Sequence, residues 1–457
     1  MSAEEIALES DAAEQLARGL PGLLGAGRVE TEPAVLAAHT LDGLTPKAVV
    51  SPKSLAEAVE VVRWAGQNKR ALTPWGGGTK REIGRPLERL DIVLKTGGFA
   101  SILEIDEGNL TAEVEGGLSL GTFEAELAAR RLYFAIDPLE GGRATIGGTV
   151  VANANGPRRL LHRTVRDHVL GLHVILPSGE MLHTGGKTVK DVAGYNLTRP
   201  FIGSWGTLGV VGQATLRLLP VPEDSATVVA WFPTSDAAVT AALRVRGSEL
   251  LPSALEICSG PALQTAIEGN RVSLDNNSAW LLAGLEGHQE PVRRMVGQID
   301  RVMGEGGAVD VDTLAGAEAK KVWDARRRLS DTVLGAPGTN ARAKVSVPIT
   351  SLGPLLAAAK SIANGHGLQL AYAVHAGNSV GHLFLQGGES AAADICAALT
   401  KLREAAATMS GFLMLEVAPL EVKRAFEALP PRDDYALMAC IRASLDPAGI
   451  MNPGKLV

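Results

Sequence analysis

Between residues 47 and 220, short apolar runs alternate with turn-forming residues: KAVVS, RALTPW, LDIVLK, SILEID, TAEVEGG and HVILPSGEML. Runs of this length, rich in Val, Ile and Leu and bounded by Gly, Pro, Asp and Asn, predict strands. One segment has a different period. In SLAEAVEVVRWAGQN, Leu55, Val59, Val62 and Trp64/Ala65 recur at helical spacing, and Ser54 with Glu57 has the form of a capping box. A second helix is predicted after Ser119, through LGTFEAELAARRL. Strands outnumber helices, so this half of the chain reads as α+β and not as a regular doubly wound sheet.

After Pro220-Val-Pro222 the texture changes. From 225 to 415, longer amphipathic segments (QEPVRRMVGQIDRVMG, AEAKKVWDARRRL, GPLLAAAKSIANG, AAADICAALTKLREAAA) alternate with apolar runs (AWLLAGLEG, AKVSVPI, LQLAYAVHAG, GHLFLQG). That rhythm predicts an antiparallel sheet covered by helices. A last helix, DYALMACIRASL, leads into the turn-rich tail DPAGIMNPGKLV.

The length of 457 residues, 46% of them hydrophobic, suits two or three packed domains. The formal net charge of −6 provides no field for a polyanion, which argues against a nucleic-acid partner. Cys258, Cys396 and Cys440 lie far apart without a CxxC pair, so neither a disulfide framework nor a thiolate cluster is encoded. The acidic N-terminus and the lack of any run of about 18 apolar residues predict a soluble, cytoplasmic protein with no integral membrane segment.

Glycine accounts for 52 residues, and the excess clusters in three turns: Pro74-Trp-Gly-Gly-Gly-Thr79, Ala144-Thr-Ile-Gly-Gly148 and Gly203-Ser-Trp-Gly-Thr-Leu-Gly209. Any one of them could simply connect strands. Three in one domain, each pairing exposed backbone N–H groups with a hydroxyl, suit a pyrophosphate. Two common nucleotide motifs fail. Gly185-Gly-Lys-Thr188 ends like a P-loop, but Met181 stands where its first glycine belongs, and Arg81 occupies the third-glycine place of a GxGxxG reading of the first turn.

PWGGGT, DPLEGGRATIGGTVVANANGPRR, the long block VRDHVLGLHVILPSGEMLHTGGKTVKDVAGYNLTRPFIGSWGTLGVV and the tail LDPAGIMNPGKLV resemble the vanillyl-alcohol-oxidase (PCMH) type of FAD-binding flavoproteins. Within it they are most similar to the glycolate oxidase and D-lactate dehydrogenase group. The resemblance implies a two-domain α+β fold: an FAD-binding domain over 1–222, a ferredoxin-like α+β cap over 223–425, and a segment 426–457 returning to the first domain. It further implies FAD contacts from Pro74, Gly76, Gly77, Gly78 and Thr79, from Pro138, Thr145, Gly147, Gly148 and Gly156, and from Gly203, Thr207 and Leu208. The first turn lacks the His or Cys that tethers flavin in some relatives, so non-covalent FAD is expected.

In the cap, relatives carry HAGDGNLH and a later Glu-His that together hold a divalent metal. Here the first stretch reads His375-Ala-Gly-Asn-Ser-Val-Gly-His382, and Val417 follows Glu416 where the second histidine would fall. A metal site built this way would lack a ligand, so the two histidines read as ordinary hairpin residues ahead of metal ligands, and they stay the second choice for a catalytic base or a metal site. Trp323-Asp-Ala-Arg326 and Arg342-Ala-Lys344-Val-Ser-Val-Pro348 match, in outline, the cations that relatives use for a substrate carboxylate, although relatives tend to be acidic near Lys344. Arg326 with Arg327 and Arg328 reads equally well as a solvated helix face. Lys187, Lys190 and Tyr195 fall in the long block as surface support or catalytic residues. The expected role is oxidation of glycolate or a similar 2-hydroxy acid, with Arg326, Arg342, His375 and His382 as catalytic candidates. The departures from the catalytic pattern resemble the smaller FAD-binding subunit of a glycolate oxidase complex. That branch implies a paralogous FAD subunit and an iron-sulfur subunit as partners, with peripheral attachment to the inner membrane face through them. A standalone D-2-hydroxy-acid dehydrogenase and a non-catalytic flavin-carrying subunit are the competing readings.

Overall fold

The computed structural model describes residues 19–20, 22–25, 27–139, 141–187, 194–259, 263 and 277–456. The predicted first helix spans Leu55–Gln67, because Ser54 accepts from the Glu57 N–H at its start and Ala58, Val61, Val62 and Ala65 are buried. Only half of the expected capping box forms. The Glu57 carboxylate accepts from the Lys53 N–H and pairs with Arg28 instead of returning to Ser54.

This helix packs with a small sheet formed by β1 (Val29–Glu30), β2 (Ala48–Val50), β3 (Leu72–Trp75) and β4 (Ile92–Lys95), in the order β1-β2-β4-β3. β2, β4 and β3 are parallel, and β1 runs antiparallel at the edge. A second, antiparallel sheet is assembled from β5 (Ile102–Asp106), β6 (Thr111–Glu115), β8 (Val169–Ile175), β9 (Met181–Gly185) and β10 (Val210–Arg217), in the order β5-β6-β10-β8-β9. β7 (Leu132–Tyr133) pairs separately with β11 (Leu219–Pro220). The first and third glycine turns follow β3 and precede β10, so both leave strand ends.

From residue 224 the chain forms one eight-stranded sheet from β12 (Asp224–Phe232), β13 (Ala254–Cys258), β14 (Ala279–Gly287), β15 (Asp310–Leu314), β16 (Thr339–Ser346), β17 (Gln369–His375), β18 (Val380–Gly387) and β19 (Phe412–Val417). Its order is β15-β12-β14-β13-β17-β18-β16-β19, antiparallel throughout. The alternation of side chains along a strand decides what each face does. Ala341, Ala343, Val345, Leu383 and Leu385 point to a core closed by the helices Ser235–Arg246, Gln289–Glu305, Leu352–Gly365 and Ala392–Thr408. The opposite face carries the polar residues. Helix Gly316–Leu334 covers one part of it through Val322, Ala325, Leu329 and Val333, and the first half of the chain meets the remainder.

Several contacts hold the halves together around that face. Tyr133 donates to Glu286 at 2.8 Å. The buried Asp42 accepts from Lys423 of the cap and Lys455 of the tail at 2.9 and 2.6 Å. The tail returns to β3, where the Asn452 N–H donates to the Leu72 carbonyl at 3.1 Å and Ile450 and Met451 enter the core. Among the described residues, no helix is long and apolar enough to cross a membrane.

Candidate cofactor and active site

All three glycine turns and the tail line one cavity. Thr73, Pro74, Gly76, Gly77, Gly78 and Thr79 form one wall, Thr145 and Gly148 a second, Trp205 and Gly206 a third, and Asn452 with Lys455 closes the end. The turns interlock through absent side chains. A Cβ on Gly77 would lie 1.8 Å from the Arg143 carbonyl oxygen, and one on Gly76 2.2 Å from Thr145 Oγ1. Thr145 caps the helix Ile146–Ala152 by accepting from the Gly148 N–H at 3.2 Å. Thr73 Oγ1 and Asn452 Oδ1 are buried without a hydrogen-bond partner, an arrangement that costs free energy unless a ligand completes it.

The remaining expected contacts support this cavity from behind. Gly147 spends its N–H on the Gly116 carbonyl, Thr207 donates to the Ser204 carbonyl, and Leu208 is core. Gly203 is left-handed (φ 88°), and Gly156 allows its loop to touch the Asp137 carbonyl. Pro138 lines a neighbouring pocket. Lys187 pairs with Glu104 at the surface, Tyr195 is exposed, and Lys190 lies outside the described residues.

That neighbouring pocket lies where the two halves meet. Pro138, Asn153, Asn155 and Arg159 come from the first half, and Lys344, His375, His382 and Glu416 from the polar face of the cap sheet. Register assembles the second group: Glu256 on β13 faces His375 on β17, and Lys344 on β16 faces His382 on β18. Two arginine–carboxylate–histidine units result. Glu256 accepts from Arg326 Nε at 2.8 Å and is hydrogen-bonded to His375 Nδ1. Glu416 lies 2.9 Å from Arg342 Nε and 3.1 Å from His382 Nδ1. The two imidazoles are perpendicular, with centroids 6.4 Å apart.

Electrostatics follow from this pairing. Burial alone would raise Glu256, but His375 and Arg326 hold it at about 2. His382 and Arg342 hold Glu416 well below the usual carboxylate range against the same penalty. Burial lowers both imidazoles, His382 to about 4, so each is neutral at pH 7. Arg326 is fully buried against Glu256; neither a solvated face nor an open cation describes it. Arg328, two residues on, is the exposed member of that run.

Residues 46–185 match the FAD binding domain family, and residues 221–456, just over half of the chain, match the family of FAD linked oxidases, C-terminal domain. The chain belongs to the FAD-linked oxidase family. It is an FAD-binding oxidoreductase. It is 30% identical over 417 residues to the glycolate oxidase subunit GlcD of Bacillus subtilis (strain 168), covering 90% of this chain and 89% of that one. It is 29% identical over 422 residues to the D-lactate dehydrogenase of Archaeoglobus fulgidus (90% and 91% covered) and 26% identical over 457 residues to the D-2-hydroxyglutarate dehydrogenase of Stutzerimonas stutzeri (96% and 97% covered). p-Cresol methylhydroxylase with substrate bound superimposes with a TM-score of 0.76 at 15% identity, over 97% of this chain and 96% of that one, which places the fold in the PCMH type.

The cavity fits the FAD of this family. Its walls approach too closely for side chains, and two unsatisfied polar atoms face it. Trp75, Trp205, Gly206, Asn452 and Lys455 join the residues legible in sequence; the NPGK tail was the available signal for the last two. A divalent metal of the kind the resemblance implies does not fit. His375 Nδ1 is committed to Glu256, Glu416 is already matched by Arg342, and the ammonium-bearing Lys344 stands opposite His382. Among the described residues, no three His, Cys, Asp or Glu side chains have ligating geometry.

Proposed function

We propose that this FAD-linked oxidase dehydrogenates a small 2-hydroxy acid, of the glycolate or D-lactate kind, in the pocket between Pro138 and His375, with non-covalent FAD. The observation that carries this reading is the Glu256–His375 pair opening on that pocket. Glu256 fixes the His375 tautomer with the proton on Nδ1, leaving Nε2 free to accept the substrate hydroxyl proton. Arg326 does not touch substrate in this scheme; it holds Glu256 ionised, so that the carboxylate stabilises the imidazolium as it forms. His382 and Arg342 set the position of Glu416 on the same sheet face. Held by the glycine turns at Gly76–Thr79, Thr145 and Gly148 with Asn452 and Lys455, FAD would supply the two-electron acceptor for the α-hydrogen, which makes the product the 2-oxo acid.

The domain limits 1–222, 223–425 and 426–457 belong to the same reading: the first and last segments hold cofactor and the middle one supplies the base. So do the partners, an iron-sulfur subunit and a paralogous flavin subunit in the cytoplasm, a reading supported by a relative named as a subunit. Anaerobic mixing of the purified holoprotein with glycolate, D-lactate and D-2-hydroxyglutarate tests the chemistry. At least one should bleach the flavin absorbance, and H375N should slow that bleaching by about 10²–10⁴-fold while retaining FAD. No reduction by any of the three would overturn the assignment, and copurification from the native host tests the partners.

A further inference from the structure

Charge does not balance in the junction pocket. Its walls include one carboxylate, Glu416, which Arg342 already matches. Glu256, just behind, is matched by Arg326. Besides Lys80, two further cations stand on the lining. The Lys344 ammonium has no hydrogen bond or ion pair among the described residues, and burial lowers it despite the pull of Glu416. Arg159 has a buried Nε without a partner, and burial lowers it too. One cation comes from β16 of the cap and the other from the short helix Arg159–His162 of the first half. That helix reaches the histidine hairpin directly, since Gly377 lacks the Cβ that would lie 2.4 Å from a Leu160 methyl. Desolvated cations without counterions are costly, and an anion entering between them recovers that cost.

We propose that Lys344 and Arg159 are the carboxylate-binding pair of the active site, one contributed by each half of the chain, and that they provide the positive charge for the substrate without a divalent metal. This rests on the 2-hydroxy-acid reading above and names its specificity-determining residues. It also moves the substrate clamp away from Arg326 and Arg342, whose guanidinium groups are engaged with Glu256 and Glu416. The pocket closes only when the halves are docked, so substrate binding and domain docking would support one another.

Oxalate, an unreactive dianion of similar size, tests the pair without requiring turnover. It would be titrated into FAD-loaded protein and followed by the flavin difference spectrum. Wild type should bind it equally well before and after EDTA dialysis. K344M and R159M should each weaken binding at least tenfold with FAD content unchanged, whereas K344R should stay within about threefold of wild type. If either methionine variant fails to fold, a crystal structure of wild-type holoprotein with oxalate decides, since a carboxylate oxygen should then lie within hydrogen-bond reach of Lys344 Nζ. Unchanged affinity in both methionine variants, or EDTA-sensitive binding restored by Zn²⁺ or Mn²⁺, overturns the proposal. Oxalate binding that depends on Lys344 and Arg159, without reduction by any hydroxy acid, would sink the proposed reaction and leave the anion site standing.

Discussion

At the scale of single residues, the site is built from shared carboxylates. Glu256 serves a guanidinium and an imidazole at once, and it is fully buried, so its removal cannot be compensated by water. E256Q keeps the shape but leaves the Arg326 charge inside with a neutral partner. Breaking a buried ion pair from one side costs about 3–5 kcal/mol, whereas removing both partners costs less. The expected outcome in urea denaturation is that E256Q destabilises more than the double variant E256M/R326M. Equal losses would mean that Arg326 is satisfied by something else. E256Q should also slow flavin reduction, because the Nδ1–H of His375 loses the anion that stabilises its protonated form.

At the scale of elements, loops are brought into contact wherever a Cβ is missing, and the neighbouring atom decides the penalty. A Cβ at Gly156 would meet the Asp137 backbone carbonyl at 1.7 Å, whereas one at Gly377 would meet the tip of Leu160. A backbone carbonyl cannot rotate away, but a leucine methyl can. G156A is therefore expected to displace the loop carrying Asn153 and Asn155, to lower the melting temperature and to weaken FAD retention on gel filtration at least tenfold. G377A should be milder by about 1–2 kcal/mol, with L160A restoring it. These elements also show how far the sequence could be read. The glycine turns are local, each encoded within seven or fewer consecutive residues, so Pro74, Gly76–Thr79, Thr145 and Gly148 could be picked out as one group. The Glu256–His375 pair spans 119 positions and exists only through the β13–β17 register. β13 itself is five residues long and β15 is a largely polar edge strand; neither gives a strong periodic signal. Arg326 was visible as a charge, but not which side of its helix the core would claim.

At the scale of the whole molecule, two buried groups pull the pH dependence of stability in opposite directions. His382 titrates at about 4 in the folded chain against 6.5 ordinarily, because burial disfavours its charged form. Its contribution is complete above pH 6.5 and is lost as pH falls through 4. Asp137 is raised by burial from 3.8 to about 7. Its contribution is complete below pH 3.8 and is lost as pH rises through 7. The two windows overlap between pH 4 and 6.5, so wild type should change little there, and acid loss should begin as Glu256 and Glu416 approach protonation at lower pH. Removing one group exposes the other. H382N should become more stable on acidification from pH 6.5 to 4, and D137N less stable, each by about 1–3 kcal/mol, read as melting temperature against pH. Parallel slopes in the two variants would show that the groups do not oppose one another. Opposite slopes would place an ionisable group on each side of the domain junction, so the docking that closes the pocket would itself respond to pH.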